Sequence, residues 1–186
     1  MAQKVGELVA KKGAILLCGG QGGIMEAAAK GAKESHGHTI GVLPGKIDNS
    51  NPYIDKPILT GLEDARNYIN IKVSDAVIAF EGGAGTLSEI ALALKNDRPL
   101  VYAGAWRFLN GHGLSKHEVP FATDPKEIVR LAFEGLNRDI DIDSDGYTRK
   151  QVDYPPLPSQ HSEREAIRQF VGCVSRESID LPVVNS

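Results

Sequence analysis

The chain has 186 residues, of which 41% are hydrophobic and 24% charged, as expected for one globular domain with an extension. The net charge of −3 without a basic stripe argues against a nucleic-acid partner, and no apolar run approaches the roughly 20 residues that span a bilayer. Residues 1–12 lack the apolar core of a secretory signal, and Cys18 and Cys173 lie far apart in sequence. We therefore expect a cytoplasmic protein without a membrane partner.

Apolar runs and segments with helical spacing alternate along most of the chain. In chain order, the sequence predicts a helix over 1–12, a strand over 14–18, a helix over 24–35, a strand over 39–43, a loop over 44–61, a helix over 62–73, a strand over 75–80, a helix over 86–95, a strand over 99–103 and a helix over 124–136. Short, continuously apolar strands are typical of a sheet that is covered on both faces. The alternation therefore predicts an α/β fold with a doubly wound parallel sheet.

The pattern changes after residue 136. Residues 137–161 are first acidic and then contain prolines, without any periodicity. Ser162-Glu163-Arg164-Glu165 then has the spacing of a capping box that opens a helix. The apolar stripe of that helix would consist of Ala166, Ile167, Phe170, Val171 and Val174. We therefore divide the chain into a domain over 1–136 and an acidic linker with an amphipathic tail helix over 137–186.

The acidic linker contains part of a cation-binding pattern. Asp141, Asp143, Asp145 and Gly146 resemble the first half of a calcium loop. The twelfth position of that loop is Val152, where a calcium site needs a carboxylate. We therefore assign no metal site in this chain.

Two glycine-rich turns, each between an apolar strand and a helix, are the strongest functional signal. The first runs from Gly19 to Gly23, and the second is Gly82-Gly83-Ala84-Gly85-Thr86. Glycines let a ligand approach backbone N–H groups closely, and a helix that follows adds the positive end of its dipole. In a parallel sheet both turns lie at the carboxyl edge, where ligands bind. The two turns predict a ligand that carries phosphate or another anion.

Further motifs occur in order around these turns. They are Gly19-Gly20-x-x-Gly23-Ile24-Met25-Glu26-Ala27, Gly41-Val42-Leu43-Pro44, Asn51-Pro52-Tyr53, Thr60-Gly61, Ala65-Arg66-Asn67 and Gly82-Gly83-x-Gly85-Thr86-Leu87-Ser88-Glu89-Ile90. Over residues 1–136 the chain resembles the molybdenum cofactor carrier-like branch of the Lonely Guy (LOG) superfamily, long mislabelled as lysine decarboxylases. The resemblance implies a Rossmann-like fold, a homo-oligomer and a pocket for a phosphorylated nucleotide-like or pterin-like compound. It implies no required cofactor, with molybdenum cofactor or a nucleotide as the bound ligand.

The hydrolase branch of the same superfamily supplies an alternative function. Its members cleave the N-glycosidic bond of a nucleoside 5′-monophosphate with an Arg-Lys pair and the Glu of a Gly-Gly-x-Gly-Thr-x-x-Glu motif. Here Arg66 and Glu89 match, Asn67 replaces the lysine, and Glu81 stands where the hydrolases usually have proline. Both departures favour a binding protein over a hydrolase. A third reading is a non-catalytic interaction module whose tail helix recruits partners.

The candidate ligand-binding residues are Gly19, Gly20, Gly22, Gly23, Met25, Arg66, Asn67, Gly82, Gly83, Gly85, Thr86 and Glu89. Arg66 would clamp a phosphate, its alternative being a solvated helix face. Thr86 and Glu89 also have capping-box spacing, so each could cap a helix instead of meeting the ligand. In a hydrolase, Glu89 and Arg66 would be catalytic, with the carboxylate near the developing oxocarbenium.

The resemblance also implies a strand and a glycine or serine loop ahead of the first helix. This chain begins in that helix, so the usual first strand is absent from the predicted order. That strand should be central in the sheet, and its loss would expose two rows of backbone donors and acceptors. Either the true start lies upstream, or the sheet closes in another way.

Overall fold

The computed structural model describes residues 1–104, 119–138 and 170–174. The strands are β1 (Ile15–Cys18), β2 (Thr39–Leu43), β3 (Lys56–Leu59), β4 (Ala76–Phe80), β5 (Leu100–Ala103), β6 (Phe121–Ala122) and β7 (Phe170–Val174). The helices are α1 (Ala2–Lys11), α2 (Ile24–Glu34), α3 (Arg66–Val73), α4 (Ala84–Lys95) and α5 (Pro125–Arg138), with a short 3-10 turn at Glu63–Ala65 before α3. None of these helices is long and apolar enough to cross a membrane.

The strands form one seven-stranded sheet in the order β3-β2-β1-β7-β4-β5-β6, and all neighbouring strands are parallel. From β1 the chain moves outward to β3, and from β4 it moves outward to β6. The direction of winding therefore reverses between β1 and β4, as in doubly wound sheets. The predicted Rossmann-like α/β fold is confirmed.

Helices cover both faces of the sheet, because adjacent side chains of a strand point to opposite faces. Ile78 of β4 packs into a core with α1, α2 and α5. Its neighbour Val77 packs on the other face with Ile71 of α3 and Ile90 of α4. The continuously apolar central strands in the sequence follow from this double burial.

Helices α1 and α2 pack with almost no space between their backbones. A Cβ placed on Gly6 would lie 1.9 Å from the carbonyl oxygen of Ala28, and one on Gly31 would lie 1.8 Å from the carbonyl oxygen of Gln3. Both distances are far below van der Waals contact, so each position requires glycine. This close approach positions α2, whose first residue follows the first glycine turn.

The predicted loop over 44–61 is wrong at Lys56–Leu59, which form the edge strand β3. All four residues are exposed and Pro57 interrupts the run, so the segment lacks the apolar signal of a buried strand. Proline is tolerated there because an edge strand leaves one side unpaired. The two-residue strand β6, which pairs with Tyr102 and Ala103, was also not predicted.

Strand β7 lies in the middle of the sheet, between β1 and β4. Its register pairs Ile15 with Phe170 on one side and Ala76 with Val171 on the other. The predicted tail helix is therefore wrong at Phe170–Val174, where the short apolar run forms a strand that is paired on both sides. Strand β7 occupies the central place for which the resemblance implied a strand ahead of α1.

The other predictions for the second part of the chain lie outside the described residues. They are the capping box at Ser162, the rest of the tail helix and the calcium-like segment from Asp141 to Gly146. Helix α5 ends at Arg138, close to the proposed boundary after residue 136. The division of the chain into 1–136 and 137–186 stays a prediction, and the described strand β7 of the second segment joins the sheet.

Replacing Gly31 with alanine should destabilise the protein, because the new methyl group meets the backbone of α1. We expect the free energy of unfolding, measured by urea denaturation, to fall by about 1–3 kcal/mol. The better helix propensity of alanine, worth about 1 kcal/mol, offsets only part of this loss. Gly45→Ala is the control, since a Cβ there has no neighbour closer than 3.9 Å. Equal stability of the two variants would contradict the close packing of α1 on α2.

Candidate ligand-binding site

The two glycine turns lie where the winding of the sheet reverses. The first follows β1 and ends where α2 begins at Ile24. The second follows β4 and is shorter than predicted, because α4 begins at Ala84 and already contains Gly85 and Thr86. Both turns are at the carboxyl ends of parallel strands, the edge at which doubly wound sheets bind ligands. The candidate glycines Gly22, Gly23, Gly82, Gly83 and Gly85 are partly or fully exposed, whereas Gly19 and Gly20 are buried.

Backbone geometry and one asparagine fix the first turn. Gly20 has a φ of +77° and its Cα packs against Gly41, which leaves no room for a side chain. The Asn51 backbone N–H donates to the carbonyl of Gly20 at 2.8 Å, and its side-chain Nδ2 donates to Gly20 at 3.1 Å and Gln21 at 2.8 Å. Asn51 was not among the predicted site residues, although it belongs to the quoted Asn51-Pro52-Tyr53 motif. Its buried amide holds the shape of the turn.

Arg66, the first residue of α3, reaches across to this turn. A Cβ on Gly19 would lie 2.5 Å and 2.7 Å from the two terminal guanidinium nitrogens and 2.8 Å from the sulfur of Met25. The predicted residues Gly19, Met25 and Arg66 therefore meet at one point. The Arg66 side chain is 12% exposed, so it does not lie on a solvated helix face. Its guanidinium therefore lies beside the first glycine turn, at the carboxyl edge of the sheet.

Glu89 of α4 lies on the other side of Arg66. Its Oε1 is 3.9 Å from Nη1 of Arg66 and accepts a hydrogen bond from Nδ2 of Asn70 at 2.9 Å. The residue is 4% exposed, and this burial raises the pKa of its carboxyl to about 7. The Asn70 hydrogen bond and the charge of Arg66 lower that pKa but do not compensate for burial. Glu89 is therefore a buried acid that titrates near neutral pH.

The capping-box alternative for Thr86 and Glu89 is wrong. Helix α4 begins at Ala84 and its N-cap is Gly83, so Thr86 already lies inside the first turn. Glu89 bonds to Asn70 of another helix, whereas a capping box would direct it to the backbone of Thr86. The buried Oγ1 of Thr86 and Oδ1 of Asn70 have no hydrogen-bond partner within the described part of the chain. Buried polar groups without a partner are uncommon in folded proteins, so both oxygens are notable.

The side chain of Asn67 contacts α4 rather than the first glycine turn. Its Nδ2 donates at 2.8 Å to Oγ of Ser88, which in turn donates at 2.7 Å to the carbonyl of Gly85. This chain of bonds ties α3 to the first turn of α4. The residue that replaces the lysine of the hydrolases is therefore buried in a contact between helices.

Sequence reasoning missed Asn70 and Ser88 as parts of the site. Asn70 lies four residues after Arg66 in α3, a spacing that places two side chains on the same helix face. That spacing was the available signal for Asn70. Ser88 follows from no pattern, because its role depends on how α3 and α4 pack.

Other potential ligand groups contribute less. Among residues 1–104, 119–138 and 170–174 there is no group of three or more His, Cys, Asp or Glu that could hold a metal ion. Cys18, which ends β1, is a fully buried free thiol, and burial raises its pKa to about 11. It is a small buried side chain rather than a reactive thiolate.

The fold is a Rossmann-like α/β domain in which Arg66 and Glu89 lie at the carboxyl edge of the sheet, near two glycine turns. The chain belongs to the SLOG cluster4 family, whose model matches residues 1–129. This membership confirms the resemblance to the LOG superfamily.

Solved structures connect the chain to the carrier branch. The molybdenum cofactor binding protein from the phototrophic bacterium Rippkaea orientalis is 43% identical, with a TM-score of 0.66 over 72% of this chain and 84% of that one. The molybdenum cofactor carrier protein from Chlamydomonas reinhardtii is 39% identical, with a TM-score of 0.68 over 74% of this chain and 86% of that one.

A curated relative comes from the hydrolase branch. A cytokinin riboside 5′-monophosphate phosphoribohydrolase from Mycobacterium tuberculosis is 31% identical over 121 residues, which are 60% of this chain and 65% of that protein. The chain spans about 65% of the length of the curated relatives it matches. The similarities thus extend to both branches, at higher identity to the molybdenum cofactor proteins.

The pKa of Glu89 predicts a specific pH dependence of stability. The carboxyl has a pKa of about 7 in the folded chain and 4.5 in its unperturbed state, so the folded state holds the proton more tightly. The protonated carboxyl therefore adds to the free energy of unfolding. This stabilisation is fully present below pH 4.5 and is lost as the pH rises through 7. Between pH 5 and 8.5 the free energy of unfolding of the wild type should fall by on the order of 3 kcal/mol relative to that of Glu89→Gln, whose side chain cannot titrate. Urea denaturation across this range measures the difference, and parallel stability curves would contradict it.

Proposed function

We propose that the chain binds a phosphorylated nucleotide-like or pterin-like small molecule, and that it acts as a carrier of molybdenum cofactor. The observation that carries this proposal is the position of Arg66, whose guanidinium lies against the first glycine turn at the ligand-binding edge of the sheet. Two structural neighbours at about 40% identity, a molybdenum cofactor binding protein and a molybdenum cofactor carrier protein, support the choice of ligand.

The residues of the crevice fit a phosphorylated ligand. Arg66 offers paired N–H donors that match the oxygens of a phosphate, and the two glycine turns offer close approach to backbone N–H groups. The unpartnered Oγ1 of Thr86 and Oδ1 of Asn70 would bond polar groups of the ligand. The ligand would thus be bound through its phosphate and its other polar groups.

Oligomer formation and a cytoplasmic location belong to the same proposal. Leu62, Tyr68, Val73 and Leu87, which lie in or next to α3 and α4, are large apolar side chains that remain 38–50% exposed. Large apolar side chains that remain exposed are available for contact with a second copy of the chain. We propose a homo-oligomer that works in the cytoplasm.

Native mass spectrometry of the full chain, purified from its own cytoplasm, tests the ligand and the oligomer together. We expect an oligomer that retains a phosphorylated pterin or nucleotide of defined mass. Arg66→Gln should lower ligand retention at least tenfold, because a guanidinium clamp on phosphate is lost. Arg130→Gln is the matched control, since that arginine is a surface residue paired with Glu127 and Glu134. A folded protein without ligand, or equal retention in both variants, would refute the carrier proposal.

Hydrolysis of a nucleoside monophosphate is the second candidate function. It is favoured by Glu89, a buried acid with a pKa of about 7 beside Arg66, and by the phosphoribohydrolase among the relatives. The reaction would replace the N-glycosidic bond with a bond to a water oxygen and release the base and ribose 5-phosphate. Against it stands Asn67, whose amide is engaged by Ser88 where the hydrolases carry a lysine.

Incubation of the full chain with AMP separates the two functions. We expect no release of adenine above the spontaneous rate, measured by chromatography, because the site lacks the lysine of the hydrolase motif. Release at an enzymatic rate that is lost in Glu89→Gln would overturn the carrier proposal. The same release in both proteins would indicate a contaminating enzyme.

A further inference from the structure

The single guanidinium of Arg66 has two possible anionic partners. Its terminal nitrogens lie over the backbone of Gly19 at the first glycine turn, and Nη1 is 3.9 Å from Oε1 of Glu89. An anion that enters the crevice and binds Arg66 would therefore lie close to the Glu89 carboxyl. The negative charges of the anion and of the ionised carboxyl would repel each other strongly, because both lie close together in a buried site.

The surroundings of Glu89 determine how this repulsion is relieved. Within the described part of the chain, Arg66 and Asn70 of α3 lower the pKa of the Glu89 carboxyl. The charges of Arg66 and Glu89 in turn affect the pKa of the Cys18 thiol of β1, in opposite directions. Asn70 is 1% exposed, and its amide fixes Oε1 of Glu89 through the 2.9 Å hydrogen bond. Because the carboxyl is held in place, it relieves the repulsion by taking up a proton rather than by moving away.

We propose that Glu89 is an internal competitor for Arg66, so that anion binding at Arg66 is coupled to protonation of the Glu89 carboxyl, with Asn70 as the positioning residue. The inference rests on the proposed function in placing the anionic part of the ligand at Arg66. It adds the regulation of that site. Ligand is held when Glu89 is protonated and released when Glu89 is ionised.

The direction of the pH dependence follows from the protonation state of Glu89. Its pKa of about 7 means that the carboxyl is mostly neutral below that pH and mostly charged above it. Anion affinity should be constant at lower pH and should fall by up to tenfold for each pH unit above about 7. The coupling is thus strongest in the range in which small pH changes alter the charge of Glu89.

Inorganic sulfate is a suitable probe, because its charge does not change over this range, whereas phosphate titrates near neutral pH. The experiment measures the sulfate affinity of the full chain by calorimetric titration between pH 6 and 9. We expect the wild type to show the decline above pH 7. Glu89→Gln should bind sulfate with the same affinity at all pH values, and Arg66→Gln should not bind it.

Asn70→Leu tests the positioning role. Loss of its hydrogen bond, which lowers the pKa of Glu89, should move the midpoint of the pH profile to a higher pH. Asn96→Leu is the matched control, because Asn96 carries the same amide at the C-terminal end of α4, where it bonds Lys72 and Leu92. Its midpoint should not move. If Asn70 had only a structural role, Asn70→Leu would lower the stability of the protein without shifting the midpoint of the pH profile of sulfate affinity.

A second measurement keeps the inference testable if Asn70→Leu does not fold. Carbon-13 NMR of the Glu89 side-chain carboxyl gives its titration midpoint in the wild type, which should rise when sulfate saturates the site. A midpoint unaffected by sulfate, sulfate affinity that is independent of pH, or no sulfate binding at any pH would overturn the inference.

A chain with pH-coupled sulfate binding but no retained pterin or nucleotide would refute the proposed function alone. A retained ligand with pH-independent sulfate affinity would refute the inference alone.

Discussion

The charge of Arg66 is the constraint on which the rest of the site depends. A guanidinium that is only 12% exposed needs anionic or polar neighbours, because a buried cation without them is costly. Glu89 supplies a polar neighbour, and a counter-charge when its carboxyl is ionised, and Asn70 donates a hydrogen bond to it. On the opposite side the guanidinium fills the space above Gly19 that any side chain would occupy. One cation thus determines which residues fit in the glycine turn, in α3 and in α4.

The carrier and hydrolase interpretations of this site differ in two side chains, Asn67 and Glu81, rather than in architecture. Both use the glycine turns, Arg66 and Glu89, and the resemblance assigns the hydrolases one additional cation next to the arginine. In this chain that position is Asn67, which contributes to the packing of α3 against α4 through Ser88. The site therefore has one cation from this helix segment instead of two. A neutral residue at that position would weaken the stabilisation of a ribose phosphate during bond cleavage, whereas the proposed contact of Arg66 with a phosphate does not depend on it.

The sequence was most informative where burial determines the pattern. Strands β1, β2, β4 and β5 were predicted because they lie within a sheet that is covered on both faces, so nearly every residue is apolar. Strand β3 was missed because an edge strand with four exposed residues has no such run. At Phe170–Val174 the same apolar residues fit the spacing of a helix stripe and of a buried strand. The position of this segment between β1 and β4 in the sheet shows that it is a strand.

Local motifs were informative about the site but not about its internal contacts. The glycine turns, Arg66 and Glu89 were predicted as candidates from their order along the chain, and the structure brings Gly19, Met25, Arg66 and Glu89 together. The capping-box pattern at Thr86 was misleading, because Gly83 already starts the helix. The contact between Arg66 and Glu89 joins two helices that the sequence separates by a strand and a turn. No local pattern encodes such a contact, because it depends on tertiary packing.

The central place of β7 has a consequence for the order of folding. Its neighbours β1 and β4 lie in the first half of the chain, yet Ile15 pairs with Phe170. Contacts between such distant residues require the closure of a very long loop, which costs chain entropy and slows folding. On a ribosome, the segments β1–β3 and β4–β6 would be synthesised well before the strand that joins them. The two halves of the sheet, each with one glycine turn, would be brought into register late, and the crevice between them would form only in that last step.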